Sequence, residues 1–195
     1  MARKKMGVAA LGMLTAGLVL SACGSSTPVA QSGASSSVAA APVQRADLYM
    51  VVLTGKMLQK PGWPEIFPAD FQVPANTDVT VTVRNYDTGT APVAAPYATV
   101  TGTVGGGEQI SGQTITSMDA KQVSHTITVP KLGLNIPIPP ATASGPSVVV
   151  FTFHTPETAG TYTWQCMVPC GSGTSGWGGA MATDGWMKGQ LTVTA

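Results

Sequence analysis

The sequence predicts an all-β domain built as a β-sandwich, and three observations carry that prediction. Short runs rich in β-branched and aromatic residues recur from Asp47 onward: DLYMVVLT, DFQVP, DVTVTVRN, HTITVP, SVVVFTFH, TYTWQC and GQLTVTA. Such residues suit a pleated, half-buried surface. Turn formers separate the runs, and 23 glycines and 15 prolines in 195 residues supply enough of them for a turn-rich β protein. No segment carries an apolar stripe at helical spacing. Many short strands between turn signals read as a sandwich.

The elements follow in chain order. Arg3, Lys4 and Lys5 precede MGVAALGMLTAGLVL, an apolar run too short for a comfortable membrane span. The run ends in Leu20-Ser21-Ala22-Cys23, which resembles a bacterial lipobox. The expectation is a signal peptide over 1–22, acylation of Cys23, and an extracytoplasmic protein anchored by lipid to the bacterial cell membrane; the alternative is an ordinary signal peptide cut nearby. Several acyl chains make such an anchor stable, since each buried methylene adds ~0.8 kcal/mol. Residues 23–45 are small and polar without apolar periodicity, as expected of a flexible tether.

The domain proper is expected over 46–195. Pro74-Ala75-Asn76-Thr77 reads as a turn, and Glu157-Thr158-Ala159-Gly160 as the closure of a hairpin between SVVVFTFH and TYTWQC. More than thirty residues separate Asn85-Tyr86-Asp87 from His125. Their middle, ATVTGTVGGGEQISGQTITSM, reads as two strands around a Gly105-Gly106-Gly107 tip, an inserted hairpin at about 88–120.

Charge limits the partners. The whole chain is +1, with 10 basic and 9 acidic residues; loss of Arg3, Lys4 and Lys5 leaves seven basic residues and a charge near −2. A nucleic-acid partner needs a basic surface, so none is expected. Two histidines, wrongly placed for a triad, exclude a hydrolase of that type. GTVGGG lacks the lysine and the strand–helix context of a phosphate loop.

Four pieces in this order, FQVPANTDVTVTVRNYD, SHTITVP, FTFHTPETAGTYTWQC and MKGQLTV, resemble the cupredoxins, over roughly residues 46–195. The resemblance implies a Greek-key β-sandwich of cupredoxin type that holds copper at one end. It implies His125 as an imidazole ligand, Cys166 as the main thiolate and Met187 as the axial ligand. VSHTITVPKLGLNIPI followed by QCMVPCG is similar to the dicopper domain of cytochrome oxidase subunit II. That likeness adds Cys170 as a second thiolate and the Val168 carbonyl as a weak donor, and places a second histidine at Thr174. The MKGQLTV ending instead looks like azurin and other blue copper proteins, whose C-x-V-P-G-H pattern places that histidine at Gly171. Either alignment lacks the second imidazole, and either leaves an unusually long loop from Cys170 to Met187. One or two copper ions fit.

His154 does not fill the gap. A hairpin centred near Thr158 pairs Cys166 with about Val150 and leaves His154 four residues further from the copper end, ~13 Å at ~3.3 Å per residue. Metal–ligand bonds of ~2.0–2.3 Å do not span that. Cys166 and Cys170 have a second reading, a disulfide, which their spacing and an oxidising compartment permit. Met167 and Met181 read as packing or as soft ligands, and Trp177 and Trp186 as shields of the loop. The expectation is an electron carrier, not an enzyme, that exchanges electrons with a membrane partner. The alternatives are a Cu(I) chaperone or buffer, which delivers copper, and a metal-free interaction module stapled by Cys166–Cys170. An oxidase-subunit role is disfavoured by the incomplete dicopper set and by the lack of paired transmembrane helices before the domain.

Overall fold

The structure, a computed structural model, describes residues 42–195. The expected signal segment, Cys23 and most of the expected tether lie outside the described residues. Eleven strands are present: β1 (Gln44–Leu53), β2 (Glu65–Phe67), β3 (Phe71–Pro74), β4 (Thr77–Asn85), β5 (Glu108–Ile110), β6 (Gln113–Ile115), β7 (His125–Val129), β8 (Leu134–Ile138), β9 (Ser147–His154), β10 (Gly160–Gln165) and β11 (Lys188–Thr194). Three single 3₁₀ turns, at Ala95–Ala98, Pro130–Leu132 and Gly179–Met181, complete the regular structure of the described residues.

The strands form two mixed sheets, ordered β2-β1-β4-β9-β5-β6 and β3-β11-β10-β7-β8. β1 runs parallel to β4, and β3 parallel to β11; the other pairings are antiparallel. The expected fold class holds. Alternation sets the core: Val79, Val81 and Val83 of β4, Val149, Phe151 and Phe153 of β9, and Leu191 and Val193 of β11 are buried. Each such side chain contributes roughly 1.5–3 kcal/mol when fully withdrawn from water.

β7 and β8 are buried at every position, on both faces. The inner face carries His125, Ile127 and Val129, paired with Ile138, Ile136 and Leu134. The outer face carries Thr126, Thr128 and Asn135, and residues 95–101 lie against it. Asn135 donates to the carbonyl of Thr99 at 2.7 Å. Thr101 and Asn135 exchange backbone hydrogen bonds of 3.0 and 3.1 Å. On its other edge this segment bonds the chain just past β6, with Val100 N–H on Thr116 at 2.8 Å and Met118 N–H on Ala98 at 2.9 Å. The insertion therefore stitches the edge of one sheet to the edge of the other.

Two local expectations are corrected. Glu157–Gly160 does not close a hairpin: β9 pairs with β4 and β5, whereas β10 pairs with β11 and β7, so the connection crosses between sheets. Tight hairpins need positive φ, and residues 155–160 have none. Thr155 instead ties the end of β9 to the β3–β4 turn, its N–H on Thr77 O at 2.9 Å and its hydroxyl on Pro74 O at 2.7 Å. The second correction concerns the insertion. Its hairpin, β5–β6, turns at Ser111 (φ 51°) and Gly112 (φ 79°), not at the triglycine. Two successive positive φ values suit a tight hairpin turn. Gly105 and Gly106 form a separate turn that leads into β5.

Candidate metal centre

Three strand ends and one loop converge at the end of the sandwich where β4 finishes. β7 opens with His125, whose ring faces inward. β10 ends at Gln165, opposite Thr128 of β7, so the next residue, Cys166, lies against the start of β7. There the Thr126 N–H donates to Cys166 Sγ at 3.4 Å, and the Met167 N–H donates to the Thr126 hydroxyl at 2.8 Å. Thr126 thus holds the ligand loop from two sides. A tight turn, with the Cys170 N–H on Val168 O at 2.8 Å, brings Cys170 back over Cys166.

The donor atoms of His125, Cys166 and Cys170 all lie within 4.8 Å of one another. Cys166 Sγ is 3.9 Å from His125 Nδ1 and 3.8 Å from Cys170 Sγ, so the two sulfurs are not bonded. A trigonal ion with bonds of ~2.0–2.3 Å separates its ligands by ~3.5–4.0 Å. His125 is 1% exposed and Cys166 fully buried. These residues fit a soft or borderline metal ion in chemistry and in spacing.

Asp87 is the partner that sequence reasoning missed. Its carboxylate sits 3.2 Å from His125 Nε2, which leaves Nδ1 directed at Cys166. Asn85-Tyr86-Asp87 served only as a landmark in the sequence, although the carboxylate itself was the signal. Asn85 aims it: the Asp87 N–H donates to Asn85 Oδ1 at 2.8 Å, and Asn85 Nδ2 donates to Pro139 O at 2.8 Å. Histidines that ligate metals commonly donate their other N–H to a carboxylate, which fixes tautomer and orientation.

The cluster has a definite charge pattern. Burial lowers the His125 pKa, but hydrogen bonds to Asp87 and Cys166 and the charges on both outweigh it and lift the value to about 9. Burial also pushes the Cys166 thiol up. The hydrogen bonds of Cys170 and His125, the imidazolium charge and the Thr126 N–H reverse this and carry it well below its ordinary value. Cys170 is raised, first by its hydrogen bond to Cys166 and then by burial. For Asp87 too, burial raises the pKa, but the bonds from His125 and Gly89 win and lower it. These shifts favour the charged forms of Asp87, His125 and Cys166 and the neutral thiol of Cys170.

A cleft of about 150 Å³ reaches the cluster past Asp87, Ser124, His125, Val168 and Cys170. The Ser124 hydroxyl is buried there without a hydrogen-bond partner. Met187 is fully buried, and its carbonyl accepts from the Cys166 N–H at 2.9 Å, which anchors its backbone beside the cluster. Trp186 packs edge-on against Trp63 with centroids 5.0 Å apart, whereas Trp177 is 41% exposed. His154 is at the far end. It pairs with Asp78 in the β4–β9 register, seven residues along β4 from Asn85, ~23 Å at ~3.3 Å per residue. The reason for its exclusion is β4 pairing, not the expected hairpin.

The two-sheet sandwich, with His125, Cys166 and the Met187 backbone at one end, matches the cupredoxin-type fold expected from the sequence. No family model and no curated protein matches the chain. Among solved structures it is similar to a multicopper oxidase from Pediococcus acidilactici at 11% identity, over 80% of this chain, with a TM-score of 0.41. The chain spans 28% of that oxidase's length. It is also similar to two structures of rusticyanin, at 18% and 19% identity over 76% of this chain and 79% and 78% of theirs, each with a TM-score of 0.35. No residue role passes from them to this chain.

Proposed function

We propose that this protein binds copper through His125, Cys166 and Cys170, with Met187 as the axial residue the cupredoxin pattern implies, and carries electrons to or from a membrane partner. The observation that carries the reading is the convergence of one imidazole and two sulfurs, with donor atoms within 4.8 Å of one another. The lipobox-like segment ending in Cys23 supports an extracytoplasmic, lipid-anchored setting, which would keep the domain near such a partner.

Copper, when bound, supplies a one-electron couple. The chain supplies the rest. Asp87 accepts from His125 Nε2–H and keeps Nδ1 facing Cys166. Loading requires His125 Nδ1 and Cys170 to give up their protons, so binding releases protons and strengthens as pH rises. The Thr126 N–H offsets thiolate charge, and the buried β7–β8 layer excludes water from one side. Preformed ligands limit reorganisation between oxidation states.

A second reading, a Cu(I) chaperone or buffer, draws support from one observation. Two thiolates and one imidazole favour Cu(I) over Cu(II), and the cleft beside Cys170 gives an ion a route in and out.

The test uses the full-length chain, purified anaerobically in mild detergent, with thiols counted before one equivalent of copper is added. Intense thiolate-to-copper absorption, lost in both Cys166→Ser and Cys170→Ser, supports electron transfer. Colourless stoichiometric Cu(I) uptake supports the chaperone reading. Thiols that pair at once in air, with no copper uptake even when reduced, would leave a disulfide-stapled interaction module and end both readings.

A further inference from the structure

The long loop after Cys170 has a definite course, and glycines fix it. The Gly171 N–H bonds Gly176 O at 2.7 Å, and Ser172 and Gly178 exchange backbone bonds of 3.0 and 2.9 Å. Residues 171–178 thereby fold back on themselves. A Cβ at Gly171 would collide with Gly178 O and come within 2.8 Å of Met181 Cγ. A Cβ at Gly176 would collide with the Pro169 carbonyl. Gly179 then takes φ +58° and opens the 3₁₀ turn Gly179–Met181.

This turn delivers a third sulfur to the cluster. Met181 is 2% exposed, and its Sδ lies 3.3 Å from Cys170 Sγ. The turn is tied to the ligand strand as well: the Met187 N–H bonds Ala180 O at 3.4 Å, and the Cys166 N–H bonds Met187 O at 2.9 Å. Cys170 Sγ therefore faces Cys166 at 3.8 Å on one side and Met181 at 3.3 Å on the other. Three sulfurs are thus gathered around Cys170, a donor set that suits a soft cation.

We propose that Met181 is a metal ligand: its thioether joins Cys166, Cys170 and His125 in a sulfur-rich site for a soft monovalent cation, Cu(I) foremost. The proposal rests on the copper-binding reading above and adds a donor that reading does not require. It gives the glycine-rich loop a task, which is to return a thioether to the cysteine from which the loop departs. Met181 as mere packing would ask only for bulk, which leucine supplies equally well.

The experiment uses the full-length chain in mild detergent, anaerobic, with selenomethionine in place of methionine and loaded with Cu(I). Selenium-edge absorption then reads whether a methionine contacts copper. A selenium–copper scattering path is expected in the parent protein, lost in Met181→Leu and kept in Met187→Leu. Competition with a chromogenic Cu(I) chelator should show Met181→Leu weaker by roughly tenfold or more, the scale on which even the residues behind metal ligands act. Near-ultraviolet circular dichroism and the thiol count show whether the variant keeps the fold. If the parent protein binds Cu(I) but the path survives in Met181→Leu and affinity stays within about twofold, the proposal is overturned. A path lost in Met187→Leu and kept in Met181→Leu overturns it in favour of Met187. Failure of the parent protein to take up Cu(I) is a different result: it removes the copper-binding reading, and this proposal with it.

Discussion

Asp87 governs the site at the scale of single residues, because it decides which nitrogen of His125 is free. Asp87→Leu leaves the ring unanchored, and copper affinity should fall roughly 10- to 100-fold, checked by chelator competition. In the metal-free protein the Cys166 thiolate should be visible by its ultraviolet absorbance at neutral pH. That absorbance should shift to higher pH in His125→Gln, because the imidazolium that holds the thiolate is gone; an unshifted titration would remove His125 as its partner. Glu108 is a second residue outside the sequence reading. It lies in β5 on the core-facing side, 1% exposed, and neither carboxylate oxygen has a hydrogen-bond partner. Burial raises its pKa to about 8. A raised carboxyl keeps its proton in the folded state after the unfolded chain has lost its own. Stability should therefore fall by ~1.4 kcal/mol per pH unit between the ordinary carboxylate range and about pH 8. Glu108→Gln should flatten that slope in urea unfolding at pH 5 and pH 7.5. Equal slopes in both proteins would mean that Glu108 is not the neutral group.

Secondary elements transmit order between the insertion and the ligand loop. The Met167 N–H bonds Thr126 Oγ1, which pairs with Thr128 Oγ1 at 2.9 Å; Thr128 donates to Asn135 Oδ1 at 2.7 Å, and Asn135 Nδ2 reaches Thr99 O at 2.7 Å. This buried chain ties residues 95–101 to the residue that follows Cys166. Asn135→Leu orphans the Thr99 carbonyl and removes the acceptor of the Thr128 O–H, which keeps Thr126 as a partner. It should cost about 1–3 kcal/mol for the carbonyl left unsatisfied, read as a lowered urea midpoint. A loss near zero would show that water replaces the chain. The insertion was legible as extra strand, from its β-branched runs. Its turn position was not, because the triglycine offers positive φ as readily as Ser111-Gly112 does; only pairing of β5 with β9 selects between them.

Across the whole molecule the two ends are chemically distinct. At one end lies the buried sulfur and imidazole cluster; at the other, His154 bonds Asp78 at 2.7 Å and Asn76 at 3.2 Å, exposed to solvent. His154→Gln should leave copper uptake unchanged and alter stability by no more than ~1 kcal/mol, as exposed ion pairs do. Copper, by contrast, should raise the unfolding midpoint of the whole domain, since a ligand that binds only the folded state stabilises it, by ~4 kcal/mol at a thousandfold excess over Kd. Calorimetry with and without a Cu(I) chelator measures this.

The sequence by itself determined the sandwich, since strand alternation and turn spacing are local properties of the chain. It also located His125, Cys166 and Cys170, because a resemblance in motif order survives without coordinates. Tertiary structure decided what touches what. Asp87 precedes His125 by 38 positions and Met181 follows Cys170 by 11, and no periodicity links such pairs. The crossing of β9 to β10 likewise depended on which sheet each strand joined. Sheet partners are chosen by burial of whole faces against one another, and that choice is made by the folded chain rather than by any short stretch of it.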